Sequence, residues 1–274
     1  MKKGKHLWLL YVLLIIVSAI SLFPFVWTFI AATHDSTEIF KISKTFIPGK
    51  AFIDNYNELV KFSPIMRNLW NSFFIAALYT ALLLIIDSLA GYAFAKLKFK
   101  GKDILFFICL CSLFIPQQVT LVPLFIQLNK MSLLNTAFGV ILPGLGGIFG
   151  VFLMRQNFFA FPDDIIEAAT IDGAGMLLTF ATIVLPSMRP ALASLGILSF
   201  VNQWGSYLWP LIVLNERANF TIPLVLALMV APGQVVNYGS IMVGAVIALV
   251  PVLIFFLLFQ KHFINGMLSA AVKG

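Results

Sequence analysis

The chain has 274 residues, of which 61% are hydrophobic and only 11% charged. A soluble domain cannot hide that much apolar surface, because such domains are near half apolar and about a quarter charged. The net charge of +7 would hint at nucleic acid in a soluble protein; here basic loop residues that fix membrane orientation account for it, and no nucleic-acid partner is expected.

The expected fold class is an all-α polytopic membrane protein in a single transmembrane domain, 1–274. The long unbroken apolar runs exclude a β-barrel. The first span, 7–31, is too long for a cleavable signal and has no small-residue cleavage site after it. An outer segment, 32–67, follows; it is polar, carries Pro48-Gly49 and Pro64, and reads as a loop with one short helix near 54–61. The second span, 68–95, holds Asp87, roughly 13 Å from its Lys96 end at helical rise. An intramembrane acid is costly and faces a bundle interior or a cavity. Asp87 therefore reads as a wall of a translocation path, or as a structural hydrogen-bonding or protonated acid.

The third span, 104–128, contains Cys109 and Cys111, which point apart on a helix and suit neither a disulfide nor a metal site. The fourth, 137–159, is weakened by Pro143, Gly144, Gly146, Gly147 and Gly150. A polar loop occupies about 160–188. The fifth span, 189–214, clusters Asn202, Gln203, Trp204, Tyr207 and Trp209. Aromatic faces and hydrogen-bonding side chains together suit a sugar, and helix packing is the competing reading, with Trp209 as an interfacial anchor. A connecting loop, 215–236, leads to the sixth span, 238–260. Pro24, Pro116, Pro123, Pro210 and Pro251 are expected to kink spans.

Six spans place most basic residues on one side: Lys2, Lys3, Lys5, the run Lys96–Lys102, Arg155, Arg189, Lys261 and Lys273. By the positive-inside rule both termini and the 160–188 loop are cytoplasmic, in a cell membrane.

That loop carries the informative pattern. Pro162, Asp163 and Asp164 suit a helix start and complement its dipole, and Gly173 can stop it about three turns later. Ala168 and Ala169 keep one side thin beside Glu167. A second short helix, 176–184, is expected to end at Leu185-Pro186. Asp163, Asp164, Glu167 and Asp172 are acidic, so anionic lipid would repel this surface, and a basic protein groove is the better partner.

Glu167-Ala168-Ala169, three residues, Gly173, nine residues, then Ile183-x-Leu185-Pro186 resembles the EAA loop of ABC importer permeases. Tyr92 to Gly101 is similar to that family's second-span exit, and Phe200 to Leu211 to its fifth span, with a departure at Gly205 where the family usually has Asn. Phe263-Ile264-Asn265-Gly266 and Ala271-Val272-Lys273-Gly274 look like the end of the maltose-type, MalG-like carbohydrate subfamily. The resemblance implies a MetI-like, type I importer fold without catalytic activity of its own. It implies a second homologous (MalF-like) permease, two cytoplasmic ATPase subunits and an extracellular sugar-binding protein as partners. Glu167, Ala168, Ala169, Asp172, Gly173, Ile183, Leu185 and Pro186 would form the ATPase-coupling element, and Lys273 and Gly274 a tail near the ATPase. The chain has no Gly-x-x-x-x-Gly-Lys-Ser/Thr sequence, so ATP and Mg are expected on the partner, with no cofactor or metal here. The implied cargo is an oligosaccharide, with polyol or glycerol-phosphate as alternatives; a secondary transporter or channel would be expected to show further membrane acids or an inverted repeat.

Overall fold

A computed structural model describes residues 3–41, 46–233 and 235–271. Lys273 and Gly274 lie outside the described residues, which form helices and connecting turns only. The order is α1 (Lys3–Ala31), α2 (Phe52–Phe62), α3 (Ile65–Lys96), α4 (Lys102–Cys111), α5 (Gln117–Lys130), α6 (Ala137–Ile141) and α7 (Ile148–Phe159). There follow α8 (Asp163–Ile171), α9 (Met176–Thr179), α10 (Leu185–Ser187), α11 (Arg189–Gly205), α12 (Leu208–Val213), α13 (Ile222–Met229) and α14 (Tyr238–Ala271).

Three continuous helices are long and apolar enough to cross a membrane: Leu7–Ala31, Ile65–Lys96 and Tyr238–Leu257. Three bent pairs qualify together, which gives up to six spans among the described residues. The pair Lys102–Phe114 and Gln117–Lys130 bends by 100°, a sharper break than the kink expected of a single 104–128 span at Pro116. The cause is local: Ile115 is held extended ahead of Pro116, and Pro116 has no N–H to continue the ladder. Ala137–Gly146 and Ile148–Phe159 meet at 50°, after a 3₁₀ turn containing Pro143 and at an extended Gly147. The third pair, in the region of the expected fifth span, differs most from expectation: Met176–Ser187 and Arg189–Gly205 bend by 79° at Met188, so that candidate span begins inside the motif loop.

α3 is the mast of the molecule. It packs along α7 and α11, and α11 and α2 pack on α14. α3 supplies buried residues to three apolar clusters: Ile65 and Ile75 to one at the α2 end, Leu83, Tyr92 and Ala95 to one at the motif end, and Ala76 to a small one around Phe200 and Trp204. The α3–α7 seam is close enough that a Cβ on Gly91 would come 2.8 Å from the Met154 Cβ and 2.9 Å from the Arg155 backbone nitrogen.

The two connections read as loops are better ordered than expected. In 32–67, Asn55 on α2 is buried and donates to the carbonyls of Ala32 (3.0 Å) and His34 (2.8 Å), which pins the segment to the end of α1. In 215–236, the apolar run Ile222–Met229 forms α13, and Ile222, Leu224 and Val225 are fully buried. Its approach is fixed by Asn68 and Asn71, whose amides donate to the carbonyls of Arg217, Ala218 and Phe220 at 2.7–3.2 Å. An eight-residue apolar helix is too short to span, yet it buries a stripe in the core.

Candidate functional site

The motif segment folds as two joined helices whose residues divide into an outer and an inner set. α8 starts after Pro162 with Asp163 and Asp164 in its first turn, where acids offset the exposed N–H groups. It ends by a Schellman closure: Ala174 N–H donates to Ala169 O (2.9 Å), Gly173 N–H to Thr170 O (3.1 Å), and Gly173 takes φ +81°. Only glycine adopts that conformation without strain. Asp163, Asp164, Glu167, Ala168 and Asp172 face outward, beside Ile171, which is 86% exposed. Ala169 is buried, and Ile183, Val184 and Leu185 pack into the cluster of Tyr92, Met154, Phe158 and Phe180. Tyr92, Phe158 and Phe180 form an aromatic triad with centroids 5.0–6.2 Å apart. The segment is thus anchored to α3 and α7 through its apolar side and leaves Asp164, Glu167 and Asp172 exposed on its outer side.

Leu185-Pro186 does not stop the second helix. Phe180–Val184 is a π turn, α10 carries Pro186, and the chain turns only at Met188. A proline removes a donor and crowds the carbonyl four residues back. The wider π turn immediately before it absorbs that defect, a recurrent use of single π turns at functional sites.

Two residues read from sequence only as orientation charges hold the segment to the spans. Lys96, at the end of α3, is nearly buried; it donates to Phe161 O (2.6 Å) and to the Asp163 carboxylate (2.5 Å). The Lys96 hydrogen bond, and then its charge, lower the Asp163 carboxyl below its ordinary value. Arg155 on α7 lies over the rings of Phe106 (3.9 Å) and Phe159 (4.6 Å), donates to Phe94 O (3.3 Å) and reaches Asp103 at 3.5 Å. The cue in the sequence was the pairing of opposite charges on one predicted side, Lys96 with Asp163 and Arg155 with Asp103.

The five residues assigned to a translocation path separate. Asn202 and Gln203 line a polar cavity of about 330 Å³. Trp204 is buried and stacked on Phe200 (5.9 Å), which stacks in turn on Phe255 (4.2 Å). Tyr207 is half exposed and outside the cavity lining. Asp87 is also outside it: 1% exposed, it packs against Gly150, and neither carboxylate oxygen has a partner among the described residues. The Trp209 indole donates to Gly139 O (3.1 Å), which ties α12 to α6. Gly205 ends α11 with open space around it, so the family's usual Asn would fit without displacing Trp204. Gln117 and Gln118, which the sequence reading passed over, join the cavity wall; two adjacent amides after Pro116 in an apolar run were the available signal.

Comparisons with known proteins agree with this architecture. Residues 87–269 match the family described as binding-protein-dependent transport system inner membrane component. The arabinooligosaccharides transport system permease protein AraQ of Halalkalibacterium halodurans is 35% identical, covering 97% of this chain and 96% of its own. The lactose transport system permease protein LacG of Rhizobium radiobacter is 34% identical over 95% and 94% of the two chains. The sn-glycerol-3-phosphate transport system permease protein UgpE of Yersinia enterocolitica is 29% identical over 95% of each. A chain from the crystal structure of a bacterial ABC transporter involved in the import of the acidic polysaccharide alginate superposes with TM-score 0.76 at 21% identity, over 96% of this chain and 99% of that one, and shares the fold. An acid-faced helix anchored to a bundle of bent spans, and a family match across two thirds of the chain, lead to one conclusion: this multi-pass membrane protein belongs to the binding-protein-dependent transport system inner membrane components, the permease subunits of ABC importers.

Proposed function

We propose that the chain is one of two permease subunits of an ATP-driven importer of carbohydrate, an oligosaccharide in particular. The observation that carries the coupling role is the 167–186 segment, acids outward and apolar residues locked to α3 and α7. A second homologous permease would complete the path. Two ATPase subunits would bind ATP and Mg beneath it and grip α8, with Glu167 meeting a basic residue in their cleft. An extracellular binding protein would deliver the sugar. The termini and α8 would face the cytoplasm, as the lysine and arginine placement favours. Closure of the ATPase pair would push α8, and the anchored segment would carry α3 and α7 with it.

The relatives support carbohydrate as cargo: arabinooligosaccharide and lactose permeases stand at 34–35% identity, the glycerol-phosphate permease at 29%. Co-purification with an ATPase subunit, followed by ATPase and uptake assays, tests the reading. Glu167→Lys is expected to leave the protein in the membrane and to abolish uptake, because it reverses the charge offered to the ATPase. Normal uptake in that variant would sink the docking role, and uptake persisting without any ATPase subunit would sink the importer.

A further inference from the structure

The segment after α1 closes on a buried histidine. Thr33 and His34 follow the last turn of α1, and the chain returns past them at 46–51. Thr33 Oγ1 accepts from the Gly49 N–H (2.7 Å), and Thr33 O accepts from the Ala51 N–H (2.9 Å). His34 is 5% exposed, and its Nε2 lies 2.7 Å from Ile47 O. The returning chain comes this close at a glycine, since a Cβ on Gly49 would stand 2.9 Å from His34 Nδ1. The same segment reaches two further elements. Asn55 of α2 donates to His34 O, the Tyr238 N–H at the start of α14 donates to Ser36 Oγ (3.0 Å), and the Phe40 ring meets Tyr238 edge-on at 5.1 Å. Its described parts, 32–41 and 46–51, therefore strap together the ends of α1, α2 and α14.

One ring nitrogen is matched and the other is not. Ile47 O can only accept, so in the neutral ring Nε2 carries the hydrogen and Nδ1 a lone pair. That Nδ1 is buried without a hydrogen bond among the described residues, and it faces the Glu38 carboxylate at 3.7 Å, four residues on. Two acceptors thus oppose each other where water is excluded. A proton on Nδ1 turns the pair into donor and acceptor, and a small approach makes a charge-assisted hydrogen bond. Both ring N–H groups then have partners, so burial costs the imidazolium no hydrogen bond. Glu38 is the charged group at the ring. Asp35 on the same segment, Lys50 on the returning chain and Asp54 on α2 are all exposed, and the last turn of α1 and the first turn of α14 carry no charge. Histidine changes charge between about pH 5 and 8, within the range a cell surface meets.

We propose that His34 and Glu38 form a proton-closed latch on this strap. Protonation at Nδ1 locks the strap to α1, α2 and α14. That stabilisation is present while the ring is charged and is lost as pH rises and the ring becomes neutral. With the strap on the extracellular side, the latch senses external acidity; this sidedness rests on the orientation proposed above, and the latch itself does not. The test reads hydrogen exchange of the 46–55 amides in the complete transporter in nanodiscs, at about pH 6 and about pH 8, each corrected for the intrinsic exchange rate. The parent should be about three- to tenfold better protected at the lower pH. Glu38→Gln keeps the ring and its bond to Ile47 and should erase that difference. His34→Gln, whose amide can still donate to Ile47 O, should keep the strap formed and make it insensitive to pH. Equal protection at both pH values in the parent would overturn the latch, and so would a difference of parental size that persists in either variant. Sealed vesicles of both orientations, with pH changed only in the outer medium, then test the sidedness. Right-side-out vesicles should respond and inverted ones should not. The reverse pattern would overturn the external sensing and the orientation it rests on, while the nanodisc result would still decide the latch.

Discussion

Lys96 shows how much one side chain can decide. Its ammonium is nearly buried and joins α3 to both the carbonyl and the carboxylate that precede and open α8. Methionine would keep the stem's packing and remove both bonds. Lys96→Met is therefore expected to leave ATPase turnover near the parent's and to cut uptake several-fold, read as transport per ATP hydrolysed; an unchanged ratio would remove Lys96 from the coupling path. The pair should tolerate acid. The Asp163 carboxyl is held below its ordinary 3.8, so the contact is fully present above that pH and is lost only as pH falls further. Coupling measured from pH 7 down to about 5 should show no loss from this site. Gly91 makes a second residue-scale case. A Cβ there meets the Arg155 backbone, which cannot swing aside. Gly91→Ala should cost about 1–3 kcal/mol of packing and lower the thermal unfolding temperature of the purified protein, whereas an equal or higher temperature would mean the seam can open freely.

At the scale of elements, Gly173→Val tests whether the closure of α8 matters. Valine at φ +81° strains the turn and weakens the Schellman bonds, so α8 should fray and sugar-stimulated ATPase should fall, with membrane insertion unchanged. Stimulation equal to the parent's would show that the ATPase itself orders the turn. α8 was legible because its signals are local: acids at the start, glycine at the stop, a spaced motif between. Spans two and six were legible because their apolar runs are continuous. The breaks were harder. Pro116 and the glycines near 147 announce irregularity, but no local rule says whether a proline bends a span by 20° or by 100°; neighbouring helices decide that. α13 was hidden because eight apolar residues satisfy loop, strand and helix alike until the core they enter is known. The cavity was legible in half: Asn202 and Gln203 stood out on the fifth span, but their meeting with Gln117 and Gln118 is a property of how the helices pack, which no local pattern reports.

Across the whole molecule, the two larger apolar clusters sit at opposite ends of α3, and the cavity is lined by the start of α5, the turn at Pro143–Gly144 and the end of α11. A push on α8 reaches that cavity only if the motif segment and α3 move as one body. Interfaces packed this closely switch between discrete arrangements rather than deform, so a firm joint at Lys96 and Asp163 transmits motion and a loose one dissipates it. A chemical joint should then replace the ionic one. Starting from a chain with Cys109 and Cys111 changed to serine, Lys96→Cys with Asp163→Cys removes the natural contact and leaves two thiols for a short bis-maleimide, since a lysine-length gap is too wide for a disulfide. Uptake should be low before cross-linking and should recover after it, with ATPase activity little changed throughout. If uptake falls further on cross-linking, the motif segment slides along α3 during the cycle, and the ion pair is a latch that opens rather than a strut that holds.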